Sequence, residues 1–498
     1  MSIRYDVSLG MRLIRAVPVI AAYGALVFIA YGFLPRDVGD EAVAGLALIG
    51  AIGAWRYIWL LIHCVRAALY EFLVYPKIRF ETDSVPDDEK YPGRLFYVIP
   101  TFREKPDVSR RSLNSVLDEV ASVPCETIIF VNAGSEEEDQ IFKDALAEHR
   151  HGDKVQMVYI RQKGGKRQGM ADVLYAMAEY DLNEDDTLVL MDGDTVLGRG
   201  ILAKCIPLFS YNPKLAAVTT DNIAVTEGNW IYRKWYTLRF AMRHRYMKSQ
   251  SLSRQLMVLT GRFSMFRAFH CVNDEFIAFL ENDRIKHWLH GEIKFVTGDD
   301  KSTWYCLLRQ GYEMLYVPDA HIYCMEHSGN KPIMGSIKKM HRWFGNMLRN
   351  NGRAIGLGMG AQKPFIWWCL VDQRISMWTS LLSPIAALWG SVWLSPYYLI
   401  VYGMLVIIVR ILYAIILTFE GHRMSLFDVP LLLYTQWGGA LVKTYTMFHL
   451  HKQKWDAREK GGGKKNREPF MNFLIPKLEM AFCYFLLMLF VAYTIGVK

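Results

Sequence analysis

The chain has 498 residues, of which 52% are hydrophobic and 21% charged, with a formal net charge of +9. That is too apolar for an ordinary soluble protein and too charged for a bare bundle of membrane helices, so a soluble domain joined to membrane spans is expected. The positive excess lies beside apolar stretches, a pattern of a cytoplasmic membrane surface rather than of a nucleic-acid site. Eight cysteines are dispersed without a CxxC pair, which argues against a zinc site or a disulfide framework.

In chain order, Met1 to Arg15 carries three arginines and Ala16 to Leu34 is almost wholly apolar. The run is near the ~20 residues that cross a bilayer, so it predicts a retained span rather than a cleaved leader. Ala42 to His63 predicts a second span, and Arg12, Arg15 and Arg66 around this hairpin place both its ends in the cytoplasm. From about Arg94 to Cys324, short apolar strands ("RLFYVIPTFREK", "ETIIFVNAGSEEE", "DTLVLMDGD") alternate with helical patterns. That alternation predicts an α/β domain with a mostly parallel sheet and its functional groups at the carboxyl ends of the strands.

"MGSIKKMHRWFGNMLRNNGRAIG" then reads as an amphipathic helix along a membrane surface. Further apolar segments run from Met377 to Trp393, Tyr397 to Phe419, Leu426 to Leu450 and Phe473 to Gly496. Were all four to span, the basic loop "HLHKQKWDAREKGGGKKNREP" would lie outside, so Leu426 to Leu450 is expected to be interfacial or re-entrant. The expected domains are an N-terminal membrane hairpin (1–70), a catalytic domain (90–330), interface helices (331–365) and C-terminal membrane and interface helices (366–498).

Several short stretches carry chemistry. Asp192 and Asp194 flank Gly193 at the end of a predicted strand. Hard cations take carboxylate oxygens, so the pair suits Mg²⁺ or Mn²⁺ neutralising a departing nucleoside diphosphate. A solvated turn is the bland alternative; beside membrane spans and an α/β domain, the pair favours a metal-dependent glycosyltransferase. In "VTGDDKSTWY", Asp300 is placed to take the proton of an attacking hydroxyl, with Asp299 supporting it. The bland alternative is that either aspartate caps a helix. "KGGKRQG" offers backbone N–H groups and Lys166 to a diphosphate, or is an exposed turn. Arg342 and Trp343 suit a pyrophosphate and a sugar ring, or a membrane-interface pair. Arg56 and Arg410, inside apolar segments, need a polar path or partner.

In this order, "PTFRE", "KGGKRQG", "DGDT", "TGRFSMFRA", "TGDDKSTWY" and "HRW" resemble the processive family 2 glycosyltransferases, such as cellulose, chitin and hyaluronan synthases. "TGDDKSTWY", "FGNMLRNNGRAIGLG" and "DQRISMWTSLL" are most similar to the alginate-polymerising members. The resemblance implies a GT-A-type glycosyltransferase domain inserted between transmembrane helices, in a bacterial inner membrane with the catalytic domain cytoplasmic. It implies Pro100, Thr101, Glu104, Asn132, Lys166, Asp192, Arg342 and Trp343 at the nucleotide-sugar. It also implies Gly261, Arg262, Ser264 and Trp343 at the acceptor, Asp192 and Asp194 on the metal, and Asp300 as base.

Two departures stand out: Lys339 replaces the glutamine of QxxRW, and "VNAGS" replaces VDDGS, leaving Asn132 and Ala133 where aspartates contact the base. The second departure is compatible with a GDP-sugar. The expected reaction is therefore polymerisation of mannuronate from GDP-mannuronate into a β-1,4-linked chain that is exported across the membrane. Arg262, Lys301 or His327 would read the donor carboxylate. A separate PilZ-domain, cyclic-di-GMP-binding subunit is the implied partner. The alternatives are a synthase of another β-linked polymer from a UDP-sugar, or a membrane receptor or transporter with a large binding domain.

Overall fold

The computed structural model describes residues 8–35, 39–91, 93–453 and 470–495. Most of the predicted basic loop, from 454 to 469, and the centre of the "PRDVGDE" turn lie outside the described residues. The organising element is an eight-stranded sheet in the order β3-β2-β1-β4-β7-β6-β10-β5. Its strands are β1 (Leu95–Thr101), β2 (Thr127–Ala133), β3 (Val155–Arg161), β4 (Thr187–Leu190), β5 (Thr195–Leu197), β6 (Leu215–Glu227), β7 (Ser264–Arg267) and β10 (Glu313–His327). A separate hairpin pairs β8 (Arg284–His287) with β9 (Gly291–Lys294).

β1, β2 and β4 are buried along their whole length, which is why their sequences are continuous apolar runs rather than alternating ones. The parallel expectation holds for β3-β2-β1-β4 and for β6 with β10. It fails at β7, which is antiparallel to both β4 and β6, and at β5, antiparallel to β10. The sheet is therefore mixed. The inverted β7 brings the loop ahead of it, Thr260 to Phe263, to the same edge as the carboxyl end of β4.

Among the described residues, five helices are long and apolar enough to cross a membrane: Leu9–Gly32, Gly53–Asp83, Pro364–Trp393, Tyr397–Thr418 and Phe470–Thr494. The second predicted span is longer than its apolar core suggested: Gly39–Leu69 continues through a π-helical turn, Tyr70–Val74, into Tyr75–Asp83. This extension docks on the catalytic domain, where the Tyr70 hydroxyl donates to the Tyr316 carbonyl at 2.8 Å.

The segment expected to be interfacial consists of Asp428–Leu433, a π-helical turn and Gly439–Met447, and is not among the five. It packs on the helix Pro332–Gly356, where His341 Nδ1 lies 2.8 Å from the Thr446 hydroxyl and Ser336 Oγ 2.6 Å from Tyr434. Much of the apolar side of Pro332–Gly356 is covered by protein: Met340, Met347 and Leu348 are buried, while Ile333 and Met334 near its start are exposed. The two intramembrane arginines have partners. Arg56 pairs with Asp372, and Arg410 donates to Gln436.

Candidate active site

The site is built where β4 ends. Met191 donates to the Val98 carbonyl (3.1 Å) and Asp192 N–H to that of Gly261 (3.1 Å), so the Asp192–Asp194 turn is tied to β1 and to the 260–263 loop. A Cβ on Gly193 would stand 3.1 Å from the Pro100 carbonyl and 3.2 Å from Thr101 Cβ. Glycine is what lets the end of β1 approach the two carboxylates.

Lys166 opens the helix Lys166–Met177, after Gly165 turns the chain at φ 87°. Its ammonium lies 2.6 Å from Asp192 Oδ1 and 2.7 Å from Asp299 Oδ2, joining the two acidic motifs. Burial alone would pull the Lys166 pKa down; Asp192 and Asp299 outweigh it and hold the pKa well above the ordinary lysine value. Burial likewise opposes the Asp299 charge, but Lys166 keeps that carboxyl below its usual value. Asp300 moves the other way, pushed up to about 6 by burial and by the charge of Asp299. Asp194 is also pushed up to about 6, by burial and by Asp192 and Glu104, against the pull of Arg262.

The capping and catalytic readings are compatible: Asp300 Oδ1 accepts from the Lys301 N–H (2.9 Å) in the first turn of its helix. The helix Asp299–Arg309 is capped by Gly298 in the left-handed region, with no side-chain cap bond. The aspartates occupy its first turn, where unpaired N–H groups favour anions.

The side of the cavity expected to meet the acceptor is organised by Glu326. It accepts from Arg262, from Lys339 (2.7 Å) and from the Tyr236 hydroxyl (2.8 Å). Burial raises the Glu326 pKa, but Arg262 and Lys339 bring it down to about 2. Lys339, standing where a glutamine was expected, thus has a partner one strand away. Trp343 stacks on Trp235 (centroids 6.1 Å apart, planes at 17°), and Arg239 sits 5.7 Å over its ring.

A continuous cavity of about 2870 Å³ joins these groups. Pro100, Thr101, Glu104, Lys166, Asp192, Asp194, Gly261, Arg262, Asp299, Asp300, Arg342 and Trp343 all line it, as do Lys301 and His327. The Lys301 ammonium donates to the Met257 carbonyl, and burial brings its pKa down to about 8.

Two expected contacts are not placed there. Asn132 is fully buried beneath the surface of the cavity. Its amide donates to the Ile160 carbonyl (3.0 Å) and accepts from Gln162 (3.1 Å), and Gln162 is the residue that reaches the cavity. Ser264 is buried too, donating to the Thr260 carbonyl (2.9 Å) with the Thr219 hydroxyl 3.1 Å away, so it shapes the Gly261–Arg262 loop from behind.

Sequence reasoning missed the helix Trp230–Ser251, which presents Tyr232, Tyr236, Arg239, Arg243 and Tyr246 to the cavity. Their spacing of three and four residues was the available signal.

Among the described residues, no cluster of three histidine, cysteine or acidic side chains could hold a metal by itself. The paired carboxylates of Asp192 and Asp194 still fit a divalent cation. Mg²⁺-type sites commonly use one or two carboxylates and complete the shell with substrate phosphates and water.

The family described as "Glycosyltransferase like family 2" matches residues 92–346. A protein of Pseudomonas syringae pv. tomato named glycosyltransferase alg8 is 35% identical over 429 residues, covering 86% of this chain and 87% of its own. One of Azotobacter vinelandii with the same name is 35% identical over 445 residues, 89% of each chain. Among solved structures, a mannosyltransferase of Pyrobaculum calidifontis in complex with GDP-Man and Mn²⁺ aligns at a TM-score of 0.46. It is 16% identical and covers 79% of this chain and 98% of that one, a likeness too loose to argue from.

Proposed function

The chain belongs to family 2 of the glycosyltransferases, and from that premise we propose that it polymerises mannuronate from GDP-mannuronate and passes the product through the membrane. The observation that carries this reading is the continuity of one cavity. The same space is lined by Asp192, Asp194 and Asp300 and, among the membrane helices, by Arg56, Ser380, Arg410 and Tyr413.

In this reading the donor diphosphate lies at the amino end of the helix Lys166–Met177, where backbone N–H groups and a cation meet an anion. Asp192 and Asp194 would hold a divalent cation, Mg²⁺ or Mn²⁺, which would neutralise charge on the leaving GDP. Lys166 holds Asp192 and Asp299 in register. The acceptor's terminal ring packs on Trp343, and its 4-hydroxyl gives its proton to Asp300. Its oxygen then attacks the anomeric carbon from the face opposite the diphosphate, so the α-linked donor becomes a β-linked unit. Glu326 keeps Arg262 and Lys339 charged and in place beside the acceptor.

With the catalytic domain in the cytoplasm, Pro364–Trp393 leaves it, Tyr397–Thr418 returns, and the segment 419–453 lies on the cytoplasmic side. That arrangement satisfies the positive-inside rule for the basic loop. A bacterial inner membrane as the location, and a PilZ-domain partner, rest on the resemblance alone.

The test is a panel of nucleotide-sugars offered to purified membranes, with and without a chelator. GDP release and polymer from GDP-mannuronate, both lost on chelation and restored by Mg²⁺ or Mn²⁺, are expected. Release of UDP alone from a UDP-sugar overturns the donor assignment.

A further inference from the structure

Beyond the catalytic carboxylates, the cavity changes character. From Asp300 toward the membrane helices its lining includes Arg243, Arg239, Arg56, Arg410 and Lys443, and the carboxylate among those helices is Asp372. Asp372 is already taken by Arg56 and by the Trp55 indole N–H (2.8 Å). Among the described residues, none of the other four cations pairs with a carboxylate. Arg239 lies over the Trp343 ring, and Arg243 faces the side-chain amide of Asn222 at 3.1 Å. Arg410 donates to Gln436, and Lys443 to the Gln373 carbonyl and the Ser376 hydroxyl (2.6 Å). Guanidinium groups removed from bulk water without counter-ions are unfavourable, and ionisable groups at membrane depth mark a ligand path.

The placement is ordered. Arg239, Arg243 and Tyr246 recur at i, i+4 and i+7, so they form one stripe on the helix Trp230–Ser251, with the Cα positions of the two arginines about 6 Å apart along its axis. Arg243 lies within electrostatic reach of Asp300 and Arg262, at the catalytic end. Lys443 is within reach of both Arg239 and Arg56, at the membrane end. Tyr246, on the same stripe, lies within reach of Arg56 and Arg410, so the stripe joins the reaction centre to the membrane-side cations. Its spacing is comparable to the length of one sugar ring, and aromatic faces at Trp343, Tyr246 and Tyr413 accompany it.

We propose that Arg239 and Arg243 determine acceptor specificity by binding the carboxylates of successive acidic sugars in the nascent chain, with Arg410 and Lys443 continuing the same cationic track into the membrane. This rests on the polymerase reading above and deepens it: the track selects a polyanion over a neutral glycan, independently of which nucleotide the donor carries.

The experiment measures binding of two probes to the full-length protein in nanodiscs: a β-1,4-linked uronate hexamer and its carboxyl-reduced, neutral counterpart. The wild type is expected to bind the acidic hexamer at least about tenfold more tightly at low salt, as expected for charged hydrogen bonds, with the margin shrinking as salt rises. The pair R239Q/R243Q loses about tenfold for the acidic probe only, and R239K/R243K recovers part of it. No wild-type preference for the acidic probe, or an equal loss for both probes in R239Q/R243Q, overturns the proposal. GDP release from GDP-mannuronate, measured in parallel, separates the two ideas. Absent release with a preserved acidic preference refutes the donor assignment and leaves the track standing. Normal release without the preference refutes the track.

Discussion

Asp300 illustrates how a motif acquires a chemical role from its surroundings. Burial and the neighbouring Asp299 push its carboxyl up to about 6, while Lys166 is committed to Asp299 and Asp192. A base works in its unprotonated form, which accumulates above the raised pKa. The kcat/KM for polymer formation is therefore expected to fall as pH drops through about 6 and to level off above it. A pH–rate profile still flat near pH 5 would contradict the assignment, given the usual acid–base logic. Asp300→Asn is expected to reduce synthesis by about 10²–10⁴-fold while GDP binding is retained, because removing a base leaves the diphosphate site intact. Substantial residual synthesis would refute the role. Asn132 makes the opposite point. Its amide is satisfied at both ends beneath the cavity, so Asn132→Asp places a carboxylate against the Ile160 carbonyl. The expected outcome is a loss of about 1–3 kcal/mol in stability, read by thermal unfolding, with no gain in UDP-sugar use.

The element that carries the proposed base is the short helix Asp299–Arg309, and its position depends on the residue before it. Gly298 has φ 87°, and a Cβ there would stand 2.8 Å from Asn346 Cγ on the helix Pro332–Gly356. Backbone strain and collision act together, so Gly298→Ala should cost roughly 1–3 kcal/mol and misplace Asp299 and Asp300. Activity is expected to fall further than nucleotide affinity, and equal losses in the two would assign the glycine a purely structural role. Elements also explain why the acceptor side tolerates Lys339 in place of glutamine. β10 carries Glu326 to within 2.7 Å of it, so the unusual cation is neutralised in place.

At the scale of the molecule, the helix Gly39–Leu69, the catalytic domain and the later membrane helices share one cavity. The proposed topology places the turn between Trp393 and Tyr397 outside and the turn after Thr418 in the cytoplasm. Cysteines introduced at Ser395 and Arg423 are expected to react with an impermeant maleimide from opposite faces of sealed vesicles. Seven of the eight native cysteines are buried, which keeps the background low. Labelling of both from one side would reverse or redraw the topology.

The sequence by itself determined the division into membrane helices and an α/β domain, because apolar run length and strand–helix alternation are local properties. It also marked Asp192, Asp194, Lys166, Asp299 and Asp300 as candidates, through the order in which their motifs follow one another rather than through any one motif alone. The orientation of β7 was decided only in three dimensions, because a four-residue strand carries no record of its neighbours. The same holds for Ser264 and Asn132, which lie close to the site in sequence but one layer below its surface. It holds most of all for the Trp230–Ser251 helix. Read linearly, its arginines and tyrosines look like a solvated face; only packing against the membrane helices turns that face inward. Burial against distant residues is a property of the whole chain, and it converts a basic stripe into the wall of a cavity.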